Sequence, residues 1–275
     1  MKKIFAFIIG MVVCAQSLSA QTFEEMVKKS YEYSDANDFF AAEECLKAAM
    51  RLEPDNRLNF ALLTNLGTIQ RRLGKFDDAL LSYSAALAQR PKDELIILNR
   101  AKLYTEMGEM EKAISDYNTL IVYYPTHEQG LFERGLLYIN TGEFILAQTD
   151  FEAIMNAYKD NFLGRFGHAI LEKARGNYDD SEVIFIYLAD KYPDNLRILE
   201  ERAELYFLTK RNGRAMTDIS KVFAATTEPS AEMYMLRGRI KLAQFEKASA
   251  AIDFKKALEL GYDKKTIDML LKESF

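Results

Sequence analysis

Small side chains recur at intervals of about 34 residues along this chain of 275 residues. Seven positions, spaced by 37, 34, 34, 34, 34 and 35 residues, are termed the anchors: Ala42, Ala79, Ala113, Ala147, Ser181, Ala215 and Ala250. Twelve residues before each anchor stands a second small residue: Ser30, Gly67, Ala101, Gly135, Ala169, Ala203 and Gly238. Small residues make up roughly a fifth of the chain, so chance agreement at all of these positions is negligible. The chain is therefore built from seven copies of one repeat.

The residues around each anchor indicate a pair of helices joined by a tight turn. A large apolar residue follows each anchor by four positions: Leu46, Tyr83, Tyr117, Phe151, Phe185, Ile219 and Phe254. Short side chains let two helix backbones approach closely, and the large side chain fills the space beside them. Glycine five residues before four of the anchors ends the first helix, and proline twelve residues after four of them stops the second. One such hairpin cannot cover its own apolar face, so the repeats must stack.

The second repeat carries a nearly complete family pattern: Leu63, Leu66, Gly67, Gly74, Phe76, Ala79, Tyr83, Ala86 and Pro91. This pattern resembles the signature of the tetratricopeptide repeat family, and the resemblance covers about residues 23–262. It implies an all-α fold, an α-solenoid of about seven stacked helix-turn-helix repeats. Their expected bounds are about 23–56, 60–93, 94–127, 128–161, 162–195, 196–229 and 231–262. We expect residues 21–275 to form a single solenoid domain.

Both ends of the repeat array carry helix-capping signals. Thr22 followed by Glu25 is a capping box that predicts the start of the first helix. Residues 263–275 predict a C-terminal capping helix that begins at Asp263 and shields the open end of the stack. The last two repeats depart from the pattern, because Lys210 and Phe245 replace the turn glycine.

Charged residues covary between two positions of the repeat. Arginine precedes the first small residue in four repeats, at Arg100, Arg134, Arg202 and Arg237. The same four repeats carry aspartate sixteen residues later, at Asp116, Asp150, Asp218 and Asp253. A planar guanidinium suits a carboxylate at short range, so we expect an ion pair across each of these hairpins. The alternative is a row of arginines that binds an anionic ligand.

The first twenty residues have the layout of a secretory signal peptide, with a basic start, an apolar stretch over residues 4–15 and a short tail. The apolar stretch is too short to span a membrane, which takes about 20 residues. We therefore expect residues 1–20 to be removed from a protein exported by a bacterium, which changes the net charge from −5 to −7. Leu18 is larger than the residue preferred at its position, so cleavage one to three residues earlier is the alternative. The periplasm is the expected location; a lipid anchor at Cys14 and an extracellular location are the weaker alternatives.

No motif in the sequence indicates catalysis, a cofactor or a metal site. The two histidines, His127 and His168, are not at ligand spacing, and no phosphate-binding glycine loop or nucleophile elbow occurs. We therefore expect a protein that is not an enzyme and that has neither cofactor nor metal. The mature chain has a net negative charge, which repels the phosphates of nucleic acid, so we do not expect nucleic acid as a partner. The mature chain also contains no predicted membrane span. The expected partner is another protein or a peptide segment, and the oligomeric state stays open.

The family resemblance implies that the first helix of each repeat lines a concave groove. In the third to fifth repeats the groove positions are largely apolar, with lysines at the edge: Leu95, Leu98, Lys102, Phe132, Leu136, Ile139, Leu163, Phe166, Ile170 and Lys173. An apolar patch with a charged rim is typical of a binding site. We expect a partner segment to place apolar side chains on Phe132, Leu136 and Phe166. The alternative is that neighbouring helices cover part of this surface.

The sequence is compatible with three functions. The leading one is a non-catalytic scaffold, adaptor or assembly factor of the cell envelope that binds a partner segment in the groove. A chaperone-like holder of exported clients would use the same apolar surface and would capture unrelated denatured proteins. An enzyme with a site on its loops is disfavoured, because no insertion between repeats exceeds three residues.

The predicted pairing across the hairpin can be tested at Asp150. Asp150→Asn leaves the Arg134 guanidinium with a neutral partner and is expected to lower the free energy of unfolding by about 1.5–3 kcal/mol. Glu143→Gln, which changes an acid outside the predicted pairs, is the control and should leave the melting curve nearly unchanged. Equal melting curves for the two variants would contradict the pairing.

Overall fold

The structure is a computed structural model that describes residues 22–273 of the chain. Its regular structure consists of fifteen α-helices, and no strand occurs among the described residues. The predicted all-α class is therefore confirmed. The signal peptide predicted at residues 1–20 and the last two residues of the predicted cap lie outside the described residues.

Backbone contacts divide the described chain after Pro125 into two compact units. The first unit contains α1 (Phe23–Asp35), α2 (Phe39–Leu52), α3 (Asn59–Arg72), α4 (Phe76–Gln89), α5 (Glu94–Glu106) and α6 (Met110–Tyr123). The second contains α7 (Glu128–Asn140), α8 (Phe144–Ala157), α9 (Phe162–Arg175), α10 (Tyr178–Lys191), α11 (Leu196–Leu208), α12 (Asn212–Ala225), α13 (Ala231–Ala243), α14 (Lys247–Glu259) and α15 (Lys264–Glu273). The single domain expected over residues 21–275 stays a prediction.

The helices pack in the order that a stack of hairpins requires. Each of the seven predicted repeats contains one helix pair, from α1 with α2 to α13 with α14, and the two helices of a pair pack together. Within each compact unit, the second helix of a repeat also packs against the first helix of the next, as α8 does against α9. This packing of each hairpin on its neighbours is that of an α-solenoid, as predicted.

The recurring small residues lie where the two helices of a hairpin come closest. All seven anchors are 0% exposed. A Cβ atom added to Gly135 would come within 2.5 Å of the Phe151 ring, and one added to Gly238 within 2.6 Å of the Phe254 ring. Atoms in a packed core do not approach so closely, so these rings leave room only for glycine. The aromatic residue one turn after the anchor therefore packs on the small residue of the opposite helix.

All four predicted arginine–aspartate pairs are present, and each is bidentate. Arg134 Nε donates to Asp150 Oδ2 at 2.9 Å, and Arg134 Nη2 donates to Asp150 Oδ1 at 2.5 Å. The same two bonds, at 2.6–2.9 Å, join the other three pairs: Arg100–Asp116, Arg202–Asp218 and Arg237–Asp253. The four aspartates are buried. Because each guanidinium already holds its own carboxylate, these arginines are structural and do not form an anion-binding row.

The first two repeats lack this pair and share a different buried carboxylate. Glu43 on α2 accepts hydrogen bonds from Lys75 at 2.6 Å and from Gln70 at 3.3 Å, both in the second repeat. The Lys47 ammonium lies 2.8 Å from the same carboxylate. Burial alone would raise the pKa of Glu43, but the bonds from Lys47, Lys75 and Gln70 outweigh burial and hold the pKa at about 2. Glu43 therefore links the first repeat to the second.

A residue in the left-handed conformation ends the first helix of every repeat. Four of these residues are glycines with φ between +71° and +83°: Gly74, Gly108, Gly142 and Gly176. The turn is kept where glycine is missing, because Asn37, Lys210 and Phe245 have φ of +59°, +59° and +64°. After Phe245, the Glu246 N–H donates to the Lys241 carbonyl at 2.9 Å, which is the bond that closes such a cap. The glycine-free repeats thus adopt the same turn at the cost of backbone strain.

The two ends of the described chain are capped as predicted. Thr22 Oγ1 accepts a hydrogen bond from the Glu25 N–H at 3.2 Å, and the Glu25 carboxylate accepts one from the Thr22 N–H at 3.3 Å. At the other end, the Asp263 carboxylate accepts a hydrogen bond from the Thr266 N–H at 2.7 Å and starts α15. The apolar stripe of α15 packs into the core of the seventh repeat, where Ile267 is buried. The predicted capping helix is therefore present.

The strained turn of the seventh repeat predicts a stabilising substitution. Phe245 has φ of +64° and is 87% exposed, so packing does little to offset a conformation that costs L-residues about 1–2 kcal/mol. Phe245→Gly is expected to raise the free energy of unfolding by about 1 kcal/mol. Gln244→Gly, one residue earlier at φ of −94°, is the control and should lower it. A destabilised Phe245→Gly variant in chemical denaturation would refute the strain.

The low pKa of Glu43 predicts how stability depends on pH. Its folded-state pKa of about 2 lies below the ordinary value of 4.5, so its contribution is present above pH 4.5 and is lost as the pH falls towards 2. Glu43→Gln is expected to lower the free energy of unfolding at neutral pH by about 1.5–3 kcal/mol and to flatten this acid dependence. Denaturation across this pH range measures both effects. Glu44→Gln, an exposed neighbour on α2, should keep the acid dependence of the parent chain.

Candidate protein-binding surface

The first helices of the second compact unit form a continuous row, because α7 contacts α9, α9 contacts α11 and α11 contacts α13. The solvent-facing side of this row is termed the first-helix face. On α7 and α9 it carries four of the predicted groove residues, all half-buried: Leu136, Ile139, Leu163 and Ile170. These apolar side chains are therefore partly open to solvent, as a docking surface requires.

Three of the predicted groove residues lie on α5 of the first compact unit. Leu95 is 55% exposed, whereas Leu98 and Lys102 are half-buried. Ile96 and Ile97, which lie between the two leucines in sequence, belong to the core. The first unit therefore also presents apolar side chains from a first helix.

The structure corrects the prediction for Phe132 and Phe166. Both rings are only 1% exposed, so in this structure they do not offer their faces to a partner. Their centroids lie 6.3 Å apart in a stacked arrangement, and the Phe162 ring stacks on Phe166 at 5.2 Å. The expected docking of apolar side chains on Phe132 and Phe166 is therefore wrong, because the two rings form part of the core.

Arg197 also contacts these two buried rings. Its guanidinium carbon lies 5.5 Å from the centroid of Phe132 and 5.0 Å from that of Phe166, within the range of cation–π contacts. The side chain of α11 thus lies across rings that belong to α7 and α9. Within the described residues no ion pair involves Arg197, and the residue is exposed. Sequence reasoning missed Arg197, although it occupies the same repeat position as Leu163.

Lys173 also differs from its predicted place at the rim of a groove. Its side chain is 10% exposed, and its ammonium donates to Glu201 at 2.6 Å and also to Glu204. Burial would lower the pKa of Lys173, but the two carboxylates outweigh burial and raise it. Lys173 therefore links α9 to α11 and does not project towards a partner.

A pocket of about 400 Å³ lies farther along the first-helix face, between α11 and α13. Its lining is acidic and apolar, with one arginine: Glu200, Glu201, Glu204, Ser230, Glu232, Met233, Met235, Leu236, Arg239 and Tyr262. In the described part of the chain, neither Glu200 nor Glu232 takes part in an ion pair. Burial and the negative charges of Glu201 and Glu232 raise the pKa of Glu200, against the opposing charge of Arg197. The pocket therefore has a net negative charge, because its lining contains four glutamates and one arginine.

The repeat pattern and the structure agree with a family of known proteins. Models of the tetratricopeptide repeat match residues 27–94 and 97–127. The crystal structure of a tetratricopeptide repeat protein from Parabacteroides merdae ATCC 43184 is 54% identical in sequence and superposes with a TM-score of 0.82. That similarity covers 92% of this chain and 99% of the other. The chain belongs to the tetratricopeptide repeat family, as a bacterial member.

More distant structures share the fold alone. The Cut9–Hcn1 hetero-tetramer of the APC/C contains a chain that is 13% identical, with a TM-score of 0.65; the similarity covers 98% of this chain and 58% of that one. The MamA protein is 17% identical, with a TM-score of 0.53, over 62% of this chain and 96% of its own. No curated protein sequence matches the chain significantly.

The family and the fold indicate a protein–protein interaction scaffold. Tetratricopeptide repeats generally serve as non-catalytic interaction modules, and their short turns leave the helix faces as the main binding surfaces. None of the helices described over residues 22–273 has the length and apolar character needed to cross a membrane.

Proposed function

We propose that this protein is a non-catalytic scaffold or adaptor of the bacterial cell envelope that holds a segment of a partner protein on its first-helix face. The observation that carries the proposal is the row of half-buried apolar side chains on α7 and α9. The same row of first helices continues to α11 and α13, where the pocket lining includes Glu200 and Glu232. An apolar centre beside charged groups is the composition of protein interfaces.

The apolar part of the face would supply most of the affinity. Leu136, Ile139, Leu163 and Ile170 are each partly exposed, so a partner side chain that covers them removes further apolar surface from water. Phe132 and Phe166 are already buried in the core, and Arg197 packs on both rings. The partner would therefore meet a preformed surface and would not need to open the core.

The envelope location rests on the N-terminal sequence. A basic start, a short apolar stretch and a short tail in residues 1–20 are the features that direct a chain to export. Export followed by removal of this segment would deliver the repeats to the periplasm. Other exported proteins would be the available partners there.

The proposal is tested by partner capture with a charged substitution in the apolar area. The full chain and its Leu136→Glu variant are immobilised and incubated with an envelope extract, and bound proteins are identified by mass spectrometry. A stoichiometric partner should be retained by the parent chain and lost by Leu136→Glu, because a partner that covers this position would have to bury the introduced charge.

The matched control is Ile145→Glu, which adds the same charge to the same repeat on α8, at a side chain that is 80% exposed. Circular dichroism must show equal helical content for all three proteins. Retained capture by Leu136→Glu would refute docking on the first-helix face. Capture of many unrelated denatured proteins would instead favour the chaperone-like holder.

A further inference from the structure

We propose that the pocket between α11 and α13 holds the side chain of a lysine or arginine from the partner segment. This inference rests on the proposed function, and it adds the chemistry that the partner must carry. It is argued from the size of the pocket, its apolar lining and its net negative charge.

The size and floor of the pocket suit a long side chain. Its volume of about 400 Å³ falls within the range of roughly 300–1,000 Å³ that is usual for binding sites. Met233, Met235 and Leu236 form apolar lining from α13. The aliphatic stem of a lysine or arginine can pack on such a surface while its charged end stays near polar groups. Methionine adapts its shape readily, so the floor tolerates either side chain.

The charge of the pocket selects a cation. Glu201 and Glu204 already bind Lys173, which lies outside the pocket lining on α9. Glu200 and Glu232 remain, and in the described chain neither forms an ion pair. An arriving ammonium or guanidinium group would be attracted by both carboxylates.

Two further features agree with this assignment. The raised pKa of Glu200 shows that burial and like charges make its ionised form unfavourable, which a nearby cation would relieve. The one basic residue of the lining, Arg239, has its guanidinium 4.8 Å from the centroid of the Phe207 ring on α11. Arg239 forms no ion pair within the described residues, so it does not bind the carboxylate of Glu200 or Glu232.

The test uses a positional-scanning library of twelve-residue peptides and the full-length protein. Binding is measured with one position at a time fixed as lysine, arginine, norleucine, glutamine or glutamate. Peptides with lysine or arginine at one position should be enriched. Replacing that residue by norleucine in the best peptide should weaken binding about tenfold, and added salt should reduce the difference.

Variants of the pocket locate the effect. Glu232→Gln is expected to remove most of the preference for a basic residue, and Glu232→Lys should shift it towards glutamate. Glu246→Gln removes an exposed acid from the turn before α14 and should leave the preference unchanged. A shift towards glutamate is a readout that a merely structural role of Glu232 would not produce.

The outcomes separate this inference from the proposed function. Peptide binding that Leu136→Glu abolishes, without any preference for basic residues, would refute the pocket assignment and leave the scaffold intact. A basic preference that Glu232→Gln and Glu232→Lys do not alter would place the cation elsewhere and also refute it. Absence of binding by every peptide, together with no partner captured from the envelope extract, would overturn both proposals.

Discussion

Phe151 packs between two glycines that belong to different repeats. A Cβ atom on Gly135, in the same repeat, would lie 2.5 Å from its ring, and one on Gly167, in the next repeat, would lie 2.4 Å from it. One side chain therefore sets both the spacing inside a hairpin and the spacing between neighbouring hairpins. The buried ion pairs and the first-helix face follow from these spacings, because each needs backbones held at a fixed separation.

The arginine–aspartate pairs act inside this packing. Removing two charges from water costs several kcal/mol for each ion, and close bidentate geometry is what offsets that cost. In Arg134–Asp150 the two bonds are 2.9 and 2.5 Å long. The arginine stands directly before a small residue in each of the four pairs, which keeps the two helices close enough for such contacts. The pairs occupy the interior of four hairpins and leave the first-helix face to other residues. The first two repeats also contain a buried, paired carboxylate: Glu43 of the first repeat accepts hydrogen bonds from Gln70 and Lys75 of the second.

The helices, the glycine turns and the ion pairs were predictable from the sequence, because each depends on contacts at a fixed register within one repeat. Exposure on the first-helix face was not. The sequence places both Phe132 and Leu136 in the groove, yet Phe132 is buried. Its ring packs beside Phe151 and is also contacted by Arg197, from a helix two repeats later. Arg197 and Glu232, in the last two repeats, occupy the repeat position that Leu163 holds in the fifth. That Lys173 neutralises Glu204 while Glu232 stays unpaired depends on side-chain packing between repeats, which the period does not encode.

The chemistry of the first-helix face changes along the second compact unit while its backbone repeats. The fourth and fifth repeats present Leu136 and Ile170, whereas the sixth and seventh present Glu200 and Glu232. A segment with apolar residues at one end and a basic residue at the other matches this order in one direction only. Bound in reverse, it would bury its charge against leucine and isoleucine and leave both glutamates without a partner, which is unfavourable. The order of residues along the face would thus set the direction of the bound chain, and the apolar area would set how tightly it is held.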